Sequence, residues 1–142
     1  MSVECFLDTN VLVYAFSAAA EDAAKRERAL ALIASAKFGL SAQVLQELYV
    51  TLTRKIRVPL DPAKGFEIVA EYRAFPLVAV DFALWARAVE ISLRYQISYW
   101  DGAIIAAAES LDAEVLYSED LSPGQSFGTV RVVNPFAGAS DG

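Results

Sequence analysis

Short apolar stretches alternate with helical patterns along the chain, and this alternation restricts the fold more than any other feature of the sequence. The stretches that read as strands or extended segments are residues 3–7, 38–40, 77–80, 114–118 and 129–133. The segments that read as helices are residues 10–16, 21–37, 41–54, a helix that opens at Asp61-Pro62, 82–95 and 98–111. Alternation of short strands with helices predicts an α/β domain with a mainly parallel central sheet.

The length and composition favour one folded domain. Of the 142 residues, 56% are hydrophobic and 21% are charged, which is typical of a globular chain with a core. We expect residues 1–136 to form the domain and residues 137–142 to be a flexible tail. Neither a membrane span nor a signal peptide is expected, because no apolar run is long enough and the start of the chain lacks the signal pattern. The single cysteine, Cys5, suits a reducing compartment and predicts a cytoplasmic protein.

The chain contains no histidine, and this restricts the chemistry that it can perform. Catalytic triads with histidine, ribonuclease chemistry with histidine as acid and base, and zinc sites of histidine and cysteine are excluded. A net charge of −6 argues against a broad basic surface for nucleic acid, although a small basic patch beside an acidic site remains compatible with it. Catalysis must therefore rely on carboxylates, hydroxyls, Lys or Arg, or a metal ion held by oxygen.

The segment Asp8-Thr9-Asn10 interrupts two apolar stretches at the end of the first predicted strand. Burial of an unpaired carboxylate at such a position costs several kcal/mol. Asp8 is explained equally well as the N-cap of the following helix or as the ligand of a cation. Asn10 favours the second explanation, since a nearby amide can hold a carboxylate in one rotamer.

Asp101 lies near the start of a predicted helix, in the stretch SYWDGAIIAAA. Ser98 and Asp101 match the pattern of a capping box, which is one explanation for the acid. Asp101 also shares a helical stripe with Ile104 and Ile105, and this stripe should face the core. A carboxylate at the edge of a packed interior favours a functional role.

Glu47 and Asp120 are weaker candidates when each is considered alone. Glu47 lies off the centre of the apolar stripe of its helix, where a solvated residue is ordinary, and Asp120 lies in a turn, where aspartate is common. In a parallel α/β sheet, however, the carboxyl ends of the strands and the amino ends of the helices share one edge. We therefore expect Asp8, Glu47, Asp101 and Asp120 to gather there.

Four carboxylates at one edge repel one another unless a cation neutralises them. Oxygen ligands without histidine or cysteine select a hard divalent cation, Mg²⁺ or Mn²⁺. A cluster of this kind can position one or two metal ions for attack on a phosphodiester. The acids thus predict a metal site and are compatible with a nuclease.

Four segments, taken in order, resemble the motifs of the PIN domain family, in particular those of VapC-type toxin ribonucleases from prokaryotic toxin–antitoxin pairs. The segments are DTNVLVYAF, SAQVLQELY, YWDGAIIAAA and LYSEDL, and the resemblance spans residues 3–134. It implies a three-layer α/β/α domain with a mainly parallel sheet and a Mg²⁺-dependent endoribonuclease activity. It also implies an RNA substrate, a cognate antitoxin and a homodimer.

The resemblance also implies roles for individual residues. The four acids that match the catalytic, metal-binding acids of the family are Asp8, Glu47, Asp101 and Asp120. Asn10 and Ser118 match the residues that support these acids. Glu119 leaves one point open, because a second acid beside Asp120 can change which side chain faces the metal.

Other functions agree with parts of the pattern. A haloacid-dehalogenase-type phosphatase needs a second acid where this chain has Asn10, and a response-regulator receiver needs further acids beside Asp8. A non-catalytic PIN-like scaffold that binds RNA or protein, a housekeeping PIN nuclease and a nuclease acting on DNA remain alternatives. The mean hydropathy of +0.36 is compatible with a surface that binds a partner.

Overall fold

The computed structural model describes residues 3–138, and within them one central sheet carries the fold. Its strands are β1 (Cys5–Leu7), β2 (Phe38–Ser41), β3 (Leu77–Val78), β4 (Val115–Tyr117), β5 (Ser126–Phe127) and β6 (Val130–Val133). They lie in the order β3-β2-β1-β4-β6-β5. Neighbouring strands are parallel except for β5 and β6, which form an antiparallel pair. The mainly parallel sheet predicted from the alternation is confirmed.

Helices connect the strands and complete the three-layer α/β/α arrangement. They are α1 (Thr9–Tyr14), α2 (Ala23–Ser35), α3 (Ala42–Val50), α4 (Pro62–Ala70), α5 (Phe82–Tyr95) and α6 (Tyr99–Ser110). Side-chain caps open several of them: Ser41 accepts from the amide of Val44, and Asp81 accepts from the amide of Leu84. Asp61 precedes Pro62 as the cap of α4. These starts agree with the sequence, because a cap residue satisfies backbone amides that the first helical turn leaves free.

A large part of the core lies between the central strands and α6. Phe6 and Leu7 of β1 and Leu116 of β4 are fully buried, and residues 102–108 of α6 are buried without interruption. Small residues allow this close packing: a Cβ atom on Gly102 would lie 2.6 Å from the carbonyl oxygen of Ala88 in α5. The start of α6 is thus held against α5 at a distance that only glycine permits.

Two segments differ from the sequence prediction. The helix predicted over residues 41–54 ends as α3 at Val50 and continues as one π-helical turn, Thr51–Lys55. Within this turn the hydroxyl of Thr53 donates to the carbonyl of Tyr49 at 2.7 Å, in competition with the backbone ladder. The helix predicted over residues 21–37 begins as a 3₁₀ turn, Ala20–Asp22, and ends at Ser35.

The strand β5 was not predicted, because two residues are too few to show an alternating pattern. It pairs with β6 through a tight turn in which Gly128 has φ of 63°. Of the tail predicted over 137–142, residues 139–142 lie outside the described part of the chain, and the carbonyl of Ala137 accepts a hydrogen bond from Arg28 at 2.7 Å. Between residues 3 and 138 no helix has the length and apolarity that a membrane crossing requires.

Candidate active site

The carboxyl ends of two adjacent strands bring the first and last acidic motifs together. β1 pairs with β4 so that Leu7 lies opposite Tyr117, and Asp8 and Ser118 therefore follow at the same edge of the sheet. The amide of Asp8 donates to the carbonyl of Tyr117 at 3.0 Å, and the hydroxyl of Ser118 donates to Asp8 Oδ2 at 2.8 Å. β1 and β4 are thus neighbours in the sheet, and the two motifs meet at its edge.

Asp8 ends β1 and also caps α1. Its Oδ1 accepts a hydrogen bond from the amide of Thr9 at 2.7 Å. Burial raises the pKa of Asp8 from 3.8 to about 6; the bonds from Ser118 and Thr9 act in the opposite direction, and the charges of Glu47 and Asp101 add to the rise. The residue is therefore a cap, and it is also a carboxylate that lacks a compensating positive charge.

The four predicted acids line one open cleft of about 850 Å³. Glu119 adds a fifth acid to the lining, whereas Lys55 is the single basic residue among the described residues that line the cleft. An excess of carboxylates in one cleft is self-repelling and attracts cations. The cleft therefore has the electrostatic character of a cation site.

Two side chains hold Glu47 in place on α3. The hydroxyl of Thr9 donates to Glu47 Oε1 at 2.7 Å, and Gln43 Nε2 lies 3.4 Å from Oε2. Gln43 is buried, and its amide also donates to the carbonyl of Trp100 in α6 at 3.3 Å. Glu47 is exposed, as its place off the apolar stripe predicts, but its carboxylate is fixed by these contacts to α1 and α3.

Asp101 begins α6 and is less constrained. Its amide donates to the hydroxyl of Ser98 at 3.0 Å, which is one half of the predicted capping box. From the residues that the structure describes, the Asp101 carboxylate receives no hydrogen bond, so the reciprocal half is missing. Ile104 and Ile105 on the same stripe are buried. The carboxylate lies half-buried at the edge of the core, and a cation can reach it.

Asn10 connects the first and last motifs. Its Nδ2 lies 3.3 Å from Ser118 Oγ and 3.5 Å from Asp120 Oδ2, and its Oδ1 accepts from the amide of Glu119 at 3.3 Å. Ser118 is fully buried, and its hydroxyl also accepts from the amide of Leu121 at 3.2 Å. These bonds hold the turn that carries Asp120 against the end of β1.

Glu119 lines the cleft, but its carboxylate belongs to a separate network. The hydroxyl of Tyr14 donates to Glu119 Oε1 at 2.8 Å, and the ammonium group of Lys25 pairs with Oε2 at 2.5 Å. Asp120 is exposed, and its contact is the long one from Asn10. Of the two adjacent acids, Asp120 is thus the one whose carboxylate is available to a cation.

The donors at the cleft fit a hard divalent cation in type. The acidic donors are carboxylate oxygens, which such cations prefer. Cys5 does not line the cleft: it is buried in β1, and its thiol pKa is raised to about 11 by burial and by the charge of Glu4. As residues 3–138 are arranged in the structure, no three acidic or cysteine side chains come close enough together to hold a metal ion. The acids thus line one cleft without closing around a common point, with the Asp101 carboxylate half-buried and that of Asp120 exposed.

Sequence reasoning missed three residues that shape this cleft. Gln43 lies four residues before Glu47, and a glutamine at that helical spacing from a candidate acid is a signal that could have revealed it. Thr9 lies inside the first motif, but its bond to Glu47 depends on the fold. Lys25 gives no signal at all, because nothing in its helix points to a partner far away in the chain.

The comparison with protein families matches residues 5–122 to the PIN domain. The chain belongs to the PIN domain family. The matched segment covers well over half of the chain and contains all four acids. The resemblance drawn from the four segments is therefore confirmed as a family assignment.

Solved structures with the PIN domain architecture are similar to this one over nearly their whole length. A chain of a toxin–antitoxin complex from Klebsiella pneumoniae has a TM-score of 0.66 at 20% identity, covering 92% of this chain and 97% of that one. VapC20 of Mycobacterium tuberculosis, a sarcin–ricin loop cleaving toxin, has a TM-score of 0.66 at 22% identity, with 89% and 98% covered.

A chain of the DNA-bound VapBC complex from Salmonella typhimurium has a TM-score of 0.64 at 18% identity, with 94% and 98% covered. A comparison with curated protein sequences found no match. At these identities the likeness establishes the fold of this PIN domain.

Proposed function

We propose that this PIN domain protein is a divalent-metal-dependent endoribonuclease and the toxin of a VapBC-type pair. The observation that carries the proposal is the cleft, whose described lining has five carboxylates and one basic residue, with Asp8 partly buried and without a compensating positive charge. PIN nucleases generally use divalent metal ions, and the oxygen donors here suit Mg²⁺ or Mn²⁺.

Asp8, Glu47, Asp101 and Asp120 are the residues that would hold the metal. When bound, a divalent ion supplies Lewis-acid chemistry, activating water and neutralising charge on the phosphate. Ser118 and the amide of Thr9 orient Asp8 by their hydrogen bonds, and Asn10 keeps the Asp120 turn beside it. The products should be a 3′-hydroxyl and a 5′-phosphate, because water and not the RNA 2′-hydroxyl attacks.

The toxin assignment is supported by the similar structures, which include a toxin–antitoxin complex and VapBC complexes bound to DNA. Large apolar side chains on α5 also suit an assembly with an antitoxin or a second copy: Phe82 is 77% exposed and Leu93 is 74% exposed. An RNA substrate and the free, buried Cys5 suit the cytoplasm.

Cleavage assays on matched RNA and DNA oligonucleotides test the nuclease proposal. RNA should be cut with Mg²⁺ or Mn²⁺ and not with EDTA, and Asp8→Asn should abolish cutting. Asp81→Asn is the matched control, since Asp81 caps α5 away from the cleft and asparagine is an equally good cap. A 2′,3′-cyclic product would exclude water as the nucleophile. RNA binding without metal-dependent cutting would indicate a scaffold, and preferential cutting of DNA would indicate a DNA nuclease.

The toxin proposal has its own test in the gene neighbourhood. A small open reading frame next to this gene should encode a protein that co-purifies with the PIN domain and inhibits cleavage. If the protein purifies as an active monomer and no such neighbour exists, the nuclease proposal survives, but the chain is then a housekeeping enzyme.

A further inference from the structure

A lysine on α2 holds the carboxylate next to Asp120. The ammonium group of Lys25 pairs with Glu119 Oε2 and lies 3.2 Å from the hydroxyl of Tyr14, which donates to Glu119 Oε1 at 2.8 Å. The three groups form a closed ring of hydrogen bonds. The side chains of Lys25 and Glu119 are 22% and 23% exposed, so solvent screens the ion pair less than it would at an open surface.

Two aromatic rings fix the lysine in this position. Its ammonium group lies 4.9 Å from the ring centroid of Tyr14 and 5.9 Å from that of Phe136. The two rings meet edge to face with their centroids 4.8 Å apart. A cation over aromatic faces gains further attraction. Lys25 is not among the residues that line the cleft, so its charge serves Glu119 and is not presented to a substrate.

The backbone of Glu119 carries this restraint to the metal-binding acids. Its amide donates to Asn10 Oδ1, and Nδ2 of the same asparagine contacts Asp120 Oδ2 and Ser118 Oγ. The side chain of Glu119 is anchored to α2, and its main chain is anchored to α1. The turn that carries Asp120 is therefore fixed from both sides.

We propose that Lys25 and Tyr14 form a clamp that withholds Glu119 from the metal site and directs Asp120 into it. The proposal rests on the proposed function, since it assigns a role within the same site. Lys25 is a positioning residue: without it, two adjacent carboxylates compete for one cation and the turn loses its anchor on α2. The clamp consists of Lys25, Tyr14 and Glu119.

Three variants test the clamp: Lys25→Met, Glu119→Gln, and the two combined. Lys25→Met should raise the Mn²⁺ concentration at half-maximal thermal stabilisation about tenfold, the scale of other losses in residues that orient metal ligands. Glu119→Gln alone should change this midpoint less than about twofold, because the single amide oxygen still accepts from one of the two donors and the neutral amide does not compete for the cation. In the combined variant most of the Lys25→Met loss should be recovered, since the amide does not compete for the cation.

Arg87→Met is the matched control. Arg87 forms a bidentate pair with Glu109, at 2.7 and 2.9 Å, between α5 and α6 and away from the cleft. Its removal also breaks a partly buried ion pair and should leave the Mn²⁺ midpoint unchanged. Lys25→Arg, which keeps the charge, should retain the wild-type midpoint.

Several results would overturn the clamp. Tighter metal binding in Lys25→Met, or a tenfold loss in Glu119→Gln, would make Glu119 a ligand. Failure of Glu119→Gln to recover the Lys25→Met loss would mean that Lys25 acts elsewhere. If Lys25→Met does not fold, the Glu119→Gln midpoint still decides whether Glu119 is a ligand.

Amide hydrogen exchange without metal separates this inference from the proposed function. The amides of Glu119 and Leu121 should exchange faster in Lys25→Met than in wild type, and unchanged exchange would refute the clamp. If wild type shows neither thermal stabilisation by Mn²⁺ nor RNA cleavage, the proposed nuclease fails, while the exchange rates still test the anchoring of the turn.

Discussion

The two walls of the cleft are constructed differently. The strand wall consists of Asp8, Asn10 and residues 118–120, which follow β1 and β4 and are joined by a dense set of hydrogen bonds. The helix wall consists of Glu47 and Asp101, at α3 and α6, where Gln43 provides the connection between the helices. Hydrogen bonds fix the strand wall, whereas in the helix wall two hydrogen bonds fix Glu47 and the packing of α6 against α5 places Asp101. A change in helix packing should therefore disturb the helix wall more than the strand wall.

The largest effect is expected for Asp101→Asn on the helix wall. If the acid is a metal ligand, RNA cleavage should fall about 100-fold or more, on the scale of losing a group that acts in the transition state. The metal-free protein should be as stable as wild type or more stable, because one of several repelling charges is removed. Thermal melts with and without Mg²⁺ should also show a smaller metal-induced rise in Tm.

A helix cap would give the opposite pattern for the same variant. Stability would then fall by about 0.5–2 kcal/mol, the range for lost caps, and cleavage would survive. Near-wild-type cleavage by Asp101→Asn would refute the four-acid site.

The next largest effect is a pH dependence that originates on the strand wall. The pKa of Asp8 is raised by burial to about 6 in the folded protein. The folded state therefore binds more protons than the unfolded state between about pH 4 and 6, and the free energy of unfolding should fall as pH rises through this window. The loss should be on the order of 2–3 kcal/mol.

Urea unfolding in EDTA at several pH values measures this dependence. Asp8→Asn should flatten the curve and should be more stable than wild type at pH 7. Asp81→Asn, at a cap remote from the cleft, should keep the wild-type slope. If the free energy of unfolding of the wild type instead rises from pH 4 to 6, the neighbours of Asp8 stabilise its negative charge in the folded state.

Gly102→Ala tests whether packing sets the helix wall. The new Cβ would lie 2.6 Å from the carbonyl oxygen of Ala88, so α5 and α6 must separate. Overpacking should lower stability by about 1–2 kcal/mol, and the displacement of Asp101 should weaken Mn²⁺ binding as well. Denaturant unfolding and a Mn²⁺ titration would measure the two effects. If the variant is stabilised, as an exposed helical Gly→Ala change would be, the close approach of the helices is wrong.

The smallest effect is expected for Gln43→Leu. The variant removes the bonds to Glu47 and to the carbonyl of Trp100 but keeps most of the buried volume. Cleavage should fall about threefold to tenfold, less than for most removed supports of a metal ligand. Ser118→Ala removes the 2.8 Å hydrogen bond that the Ser118 hydroxyl donates to Asp8, and it should lower cleavage further than Gln43→Leu does. Equal losses in the two variants would mean that the walls are held in similar ways.

The sequence was informative where the chemistry is local. Four helices are preceded by a polar residue whose side chain caps them, and each cap depends only on the amides of the next few residues. These cap residues are Asp8, Ser41, Asp81 and Ser98. The alternation of strands and helices then places the acids at one edge, because parallel sheets have that property in general.

Contacts between residues far apart in the chain could not be predicted from the sequence. The pairing of Lys25 with Glu119 joins positions 94 residues apart, and the close approach of Gly102 to Ala88 depends on the angle between two helices. Neither has a periodicity or a local motif. The sequence therefore leaves open which of Glu119 and Asp120 faces the metal, because the partner of the Glu119 carboxylate lies on α2.

The two outermost strands within residues 3–138, β3 and β5, are two residues long. Short outer strands expose few unpaired backbone groups, so a further strand added at either side would gain few hydrogen bonds. Extension of the sheet by a second chain is thereby discouraged, as is the sideways stacking that leads to aggregates. Recognition by another protein must then rely on the helices and loops, where side chains and not backbone pairing discriminate one binding partner from another.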